Sequence, residues 1–267
     1  MKTLTFTILG CGSSGGVPRI GGDWGACDKT NPKNARLRCS MLIQRHGADG
    51  VTSVLIDTSP DMRSQLLAAE VGALDAVVYT HQHADHVHGL DDLRMIALRM
   101  RKRIPVYAST EARGDILSRF NYAFETPEGS SYPPILEMYD LPENLWVDGA
   151  GGKINIQSFD VEHGAISVRA LRINDLLYTP DISGFSADVE PHLSGLHYWV
   201  LDALRYTPHP SHINVETALK WINEYRPKQA VLTNLHIDLD YQTLNCETPD
   251  HVEPAYDGMQ IRMHIDV

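Results

Sequence analysis

Apolar positions along this chain fall into two recurring patterns. Short β-branched or aliphatic runs occur at residues 5–9, 41–44, 51–56, 76–79, 104–107, 154–159, 166–173, 176–178, 198–201 and 230–232, and each predicts a buried strand. Between some of them the spacing lengthens to a helical period. Residues 60–71 predict a helix with Ser59 as its N-cap and Pro60 at its first position. Residues 91–101 place Leu93, Ile96, Ala97 and Met100 on one face, and residues 215–225 do the same with Ala218, Leu219 and Ile222. Strands mixed with helices, without a long Pro-, Ser- or Gly-rich linker, predict one α/β domain over residues 1–267. Residues 126–134 (TPEGSSYPP) read as a long exposed loop. Such a loop is either a solvated insertion or a lid or subunit contact using Tyr122, Phe124 and Tyr132.

The polar residues that follow these strands add a second layer. Asp57 follows 54–56, and the run His81-Gln82-His83-Ala84-Asp85-His86 follows 77–80. His163 closes the run 159–162, Asp181 follows 176–180, Asp202 follows 199–201, and His236 lies just beyond 231–235. In α/β sheets ligands bind at the carboxyl ends of strands, where the loops converge on one edge. Six apolar strands that each deliver an Asp or His there predict a site at that edge.

Composition narrows the setting. The chain has 43% hydrophobic and 21% charged residues, which is ordinary for a folded protein. A formal net charge of -11 repels polyanions, so a nucleic-acid partner is not expected. Four cysteines, Cys11, Cys27, Cys39 and Cys246, stand far apart with no C-x-x-C pair, which predicts free thiols in a reducing compartment. The apolar run before Cys11 is too short for a signal peptide, and no stretch approaches the roughly 20 apolar residues of a membrane span. The expectation is a cytoplasmic protein with no membrane partner. A homodimer is the default assembly, dimers being the commonest closed form.

Three His and one Asp within six residues offer neutral imidazoles and a carboxylate, ligands that zinc, manganese and iron accept. His81 and His83 lie two apart, so an extended segment points both rings the same way. Asp85 and His86 follow as the chain turns toward the next helix and can face a second ion. A structural zinc would close its shell with four protein ligands, usually including Cys. Here His and Asp predominate, which predicts open catalytic positions.

With these residues in place, the chain resembles the metallo-β-lactamase fold superfamily, whose signature is H-x-H-x-D-H. Residues 9–18 (LGCGSSGGVP), 32–40 (PKNARLRCS), 56–63 (IDTSPDMR), 81–94 (HQHADHVHGLDDLR) and 256–259 (YDGM) are similar to the branch that contains phosphoribosyl 1,2-cyclic phosphate phosphodiesterase. The resemblance covers nearly the whole chain. It implies a four-layer αββα sandwich of two mixed β-sheets and a binuclear centre of two divalent ions, zinc or manganese. It further implies that His81, His83 and His163 hold one ion. Asp85, His86 and a C-terminal His would hold the other, with Asp181 bridging and a small phosphodiester as substrate. Two such ions lower the pKa of a shared water and stabilise both attacking and leaving oxygens. Asp57 is expected to support a ligand imidazole rather than bind metal.

The chain departs from the family pattern twice. The Cys-rich loop of many relatives, which binds a separate structural zinc, reads Gly21-Gly22-Asp23-Trp24-Gly25-Ala26-Cys27 here, so that site is expected to be absent. Where relatives tend to read T-H-x-x-H, this chain has Thr233-Asn234-Leu235-His236. A shift of two preserves the side-chain face of an extended segment, which makes His236 the expected ligand. The resemblance points to His212 as the general acid, with His209 as the lesser candidate. Arg38, Arg63 and Arg94 are candidates for phosphate contact, although Arg94 could equally pair with a neighbouring Asp. The glycine-rich run 10–16 fits neither dinucleotide nor P-loop spacing and reads as a tight turn. Other readings are a tRNA 3′-processing endonuclease, a lactonase, or a binding protein like the pyrroloquinoline quinone biosynthesis protein B group.

Overall fold

The computed structural model describes residues 2–265. The chain begins with β1 (Lys2–Gly10), β2 (Ser40–His46) and β3 (Val51–Ile56), followed by α1 (Met62–Ala68) and β4 (Ala76–Val78). Next come α2 (Ala84–Val87), α3 (Leu93–Met100), β5 (Ile104–Ala108), α4 (Thr110–Phe124), β6 (Leu136–Asp140) and β7 (Asn144–Val147). Then follow β8 (Ile154–His163), β9 (Ile166–Ile173), β10 (Leu176–Thr179) and β11 (Tyr198–Asp202). The last elements are α5 (Val215–Tyr225), β12 (Gln229–Thr233), α6 (Tyr241–Glu247), β13 (Val252–Pro254) and β14 (Gln260–Ile265).

These strands form two seven-stranded mixed sheets, ordered β14-β1-β2-β3-β4-β5-β6 and β13-β12-β11-β10-β9-β8-β7. Contacts group the described residues into two compact units. The first takes its residues from Met1–Leu9, Ser40–Asn155 and Gln260–Val267, the second from Gly10–Cys39 and Ile156–Met259. No helix among the described residues is long and apolar enough to cross a membrane.

In the first unit, Leu42, Leu55, Val77 and Val106 pack against Met62 and Leu66 of α1, Leu93 and Ile96 of α3, and Ala112 and Ile116 of α4. The alternate positions Met41, Ile43, Val54, Ile56, Ala76 and Val78 are buried as well. That is why these strands appear in the sequence as continuous apolar runs instead of alternating ones. In the second unit, Val168, Leu177, Trp199, Leu201 and Leu232 form a core with Val215, Ala218 and Ile222 of α5.

Some elements differ from the sequence pattern. The first helix starts at Met62, not Pro60, because Ser59 builds a turn in front of it: its Oγ accepts from Asp61 N at 3.1 Å and donates to Gln65 Oε1 at 2.9 Å. Helix α4 escapes the periodic reading because only Ala112, Ile116, Ala123 and Phe124 are buried, and Phe120 has non-helical angles (φ -126°, ψ 28°) that break the period. Residues 126–134 are mostly exposed and carry no helix or strand. Phe124, however, is only 8% exposed and belongs to the core, so it is not available to the lid or subunit contact considered for that segment.

Candidate functional site

Strands β3 and β4 are parallel neighbours, with Ile56 opposite Val78, so Asp57 and the His81 run leave the first sheet at the same edge. Asp57 adopts a left-handed backbone (φ 61°), which a short polar residue tolerates, and it is fully buried. Its Oδ1 accepts from Thr80 N at 2.8 Å. Its Oδ2 accepts from Thr80 Oγ1 and from His86 Nδ1, each at 2.8 Å. Burial pushes the Asp57 carboxyl up, against the lowering pull of His86 and Thr80. Thr80 Oγ1, its proton given to Asp57, accepts from His81 Nδ1 at 3.0 Å. Both imidazoles therefore carry a proton on Nδ1, the ring nitrogen that faces these acceptors.

Backbone bonds hold this run in place. Thr58 N donates to His86 O at 2.8 Å, and Gly89 N donates to Thr58 O at 2.9 Å. A Cβ at position 89 would stand 2.1 Å from Ser59 O, so only glycine permits this approach. His83 precedes α2 with an extended backbone, and α2 carries Asp85 and His86, whose Oδ2 and Nε2 lie 3.6 Å apart. The His81 ring centroid is 4.6 Å from that of His83 and 4.2 Å from that of His86. His81 and His86 are buried, Asp85 is half-buried and His83 is exposed.

The second sheet gathers a matching set. β8 and β9 are antiparallel, β9 and β10 are antiparallel, and β10, β11 and β12 are parallel, so β8, β10, β11 and β12 all end at one edge. They deliver His163, Asp181, Asp202 and Asn234. His163 Nδ1 donates to Ser211 O at 2.6 Å, leaving its Nε2 3.6 Å from Asp181 Oδ2. Gly164 makes this contact possible: it has φ 60°, and a Cβ there would be 2.9 Å from Ser211 Cβ. His212 Nδ1 donates to Asp202 Oδ2 at 2.8 Å, and its Nε2 stands 3.9 Å from Asp181 Oδ2. Asp202 Oδ2 also accepts from Ile182 N at 3.1 Å. Burial pushes the Asp202 carboxyl up to about 7 against the pull of His212. The His209 ring lies 5.1 Å from that of His212, with its pKa lowered first by burial and then by His212, Arg205 and His236.

His236 does not join this group. The expectation required an extended segment from Asn234 to His236, but Asn234 has φ 61°, which turns the chain and removes the two-residue alternation. Instead His236 Nε2 accepts from Arg19, and its Nδ1 faces Asp238 Oδ2 at 2.9 Å. Asn234 takes the place beside the carboxylate. It is 3% exposed, and its Nδ2 lies 3.1 Å from Pro180 O, 3.2 Å from Asp181 Oδ1 and 3.3 Å from His212 Nδ1.

Of the arginines, Arg94 pairs with Asp91 at 3.2 Å, the neighbouring-Asp alternative, and Arg63 is exposed on α1. Arg38 is half-buried and bridges to Gly12 in the glycine-rich turn. All four cysteines are free thiols; Cys27 is buried with Val17 and Ile237, and its Sγ donates to Ile237 O at 3.4 Å. The sequence reading assigned no part to Thr80 and Ser211, which orient imidazoles, and none to Asp202 beyond its strand end. Thr80 carries a legible signal, a hydroxyl directly before the first His. Ser211 acts through its backbone carbonyl, which leaves no trace in residue type.

A family model described as the β-lactamase superfamily domain matches residues 52–237. A Porphyromonas gingivalis protein named octanoyltransferase is 31% identical over 258 residues, 95% of this chain but 50% of that protein. The chain thus spans about half the length of that relative. A solved structure of a diphosphatase from the PhnP family is 32% identical, with a TM-score of 0.87 over 98% of both chains. Zinc-bound PqqB from Methylobacterium extorquens superposes with a TM-score of 0.67 at 18% identity, over 96% of this chain and 99% of that one, a likeness of fold.

Proposed function

Since the chain belongs to the metallo-β-lactamase superfamily, whose αββα fold it shares with the PhnP-family diphosphatase, we propose that it hydrolyses a small phosphodiester with the help of two divalent ions. The observation that carries this reading is the common state of the imidazoles. In His81, His86 and His163 the Nδ1 proton is committed to Thr80, Asp57 and Ser211, so each offers Nε2 as a ligand atom. The set His81, His83, His163 and Asp181 has the composition that holds a divalent cation. Asp85 and His86 supply donors for a second. These residues fit zinc or manganese equally in donor type.

Ions bound there supply Lewis acidity and a water of lowered pKa. The chain's own residues do the rest. Asp57 and Thr80 fix the ring planes of His86 and His81. Asp181 contributes a carboxylate whose Oδ2 faces His163 and His212. His212, held by Asp202 through Nδ1, would hand a proton from Nε2 to the leaving oxygen. A net charge of -11 weighs against a tRNA substrate and favours a small one.

A second reading rests on the relative named octanoyltransferase: the same donors suit hydrolysis of an acyl ester. Metal content and hydrolysis, measured on one sample, separate the two. Metal-dependent turnover of bis(p-nitrophenyl) phosphate, with little turnover of p-nitrophenyl octanoate, supports the phosphodiesterase. The reverse preference favours the acyl reading, and protein that binds no metal and turns over neither refutes both.

A further inference from the structure

We propose that a cavity on the first unit, beside His83, receives the aromatic base of a nucleoside-bearing phosphodiester. The proposal rests on the phosphodiesterase reading above and adds the class of group that the substrate carries. The cavity measures about 690 Å³ and is lined, mostly through apolar atoms, by Gln82, His83, Ala84, His88, Arg119 and Phe120. All six residues belong to the first unit. Pockets for small ligands span about 300–1,000 Å³, so a base fits with room for its sugar. His83 belongs both to the histidine run and to the wall, so a phosphate held at that run has the cavity next to it.

Two elements build the wall. His83, Ala84 and His88 come from α2 and its two ends, where His88 N donates to Ala84 O at 3.0 Å. Arg119 and Phe120 come from α4. Arg119 Nη1 donates to Gln82 O at 2.8 Å and Nη2 to Asp115 Oδ2 at 3.4 Å, which tethers both arms of the guanidinium fork. Phe120 departs from helical angles, and its ring meets that of His88 edge to face, 5.8 Å between centroids. Phe120 packs against the core of the first unit yet is only half-buried, and His88 is exposed. A phenyl ring, an imidazole and a planar guanidinium are the side-chain groups on which unpaired bases stack. Every base has a π-face, so such a wall favours a base over none and discriminates little among bases.

The test is titration calorimetry on the full chain, loaded with zinc and desalted, using adenosine 5′-monophosphate and ribose 5-phosphate as probes. The two share a phosphate and a ribose and differ only in the base. The wild type should bind the adenosine compound about tenfold more tightly or better, the order that one stacked base contributes. Phe120→Ala and His88→Ala should each bring the ratio of the two affinities closer to one. Phe120 also touches the core, so His88→Ala, at an exposed position, keeps the test decisive should the first variant fail to fold. Equal affinities in the wild type, or a ratio that survives in the folded variants, would overturn the proposal alone. A zinc-loaded chain that binds neither probe overturns the phosphodiesterase reading with it.

Discussion

Asp202 and Asp257 show how single buried carboxyls make this chain sensitive to pH. Asp202 accepts from His212 Nδ1 at 2.8 Å, so replacing it with Asn should leave the ring misoriented. Misplaced or missing acids typically cost about 10²–10⁴-fold in rate. Asp202→Asn and His212→Ala should therefore slow alkyl phosphodiesters by that order and p-nitrophenyl esters much less; equal losses on both substrates would remove His212 as the acid. Asp257 accepts from Leu37 N at 2.7 Å and Cys11 N at 3.1 Å. Burial nonetheless pushes its carboxyl up to about 7. A raised carboxyl means that the folded state binds the proton more tightly than the unfolded one. Its contribution is present at low pH and is lost as pH rises from the ordinary carboxylate range through about 7. The urea midpoint of the wild type relative to Asp257→Asn should fall across that window, and a flat difference would show that Asp257 does not titrate there.

At the scale of elements, caps and close turns hold the site. Asp240 caps α6 by accepting from Thr243 N at 3.0 Å, and it also takes Asn34 Nδ2 at 2.6 Å and Asp28 N at 3.1 Å. Partial burial would raise its pKa, but these donors outweigh that and hold it at about 2. Asp240→Ala should lose about 0.5–2 kcal/mol by urea unfolding near neutral pH. The gap should close as pH falls through about 2, because protonation removes the cap from the wild type as well. Gly89 belongs to the turn that carries the histidine run. Gly89→Ala would set a Cβ against Ser59 O at 2.1 Å, so the turn must move. Bound metal after desalting should drop well below the wild-type value while the second unit's helix α5 keeps its far-UV signal.

For the whole molecule, metal and stability should be linked. An ion that binds the folded chain and not the unfolded one stabilises by RT ln(1 + [L]/Kd), about 2.7 kcal/mol at a hundredfold excess over Kd. Stripping with a chelator should lower the thermal midpoint by several degrees, and adding zinc back should restore it. An unchanged midpoint would mean that the donors bind too weakly to matter. The family match over residues 52–237 takes in residues of both compact units.

Much of this was legible in residue order. The apolar runs marked β2–β5 and β8–β12: β3, β4, β10 and β11 are buried on both faces and need no polar alternation, whereas burial alternates along β5 and most of β8. The density of His and Asp in 81–86 marked candidate metal ligands, because few other patterns offer so many donors so close together. Strand-end positions also flagged Asp57, His163, Asp181 and Asp202. Edge strands such as β6 and β14 and the kinked α4 stayed hidden, since half-exposed elements carry weak patterns. Three features were decided by tertiary structure alone. Asp57 reaches both Thr80 and His86, Ser211 lends a carbonyl to His163, and Asn234 turns through a left-handed residue so that it, and not His236, meets Asp181. The physical reason is the same in each case. Residue type records which atoms can donate or accept, but only the folded backbone determines which of them come within 3 Å or so of each other.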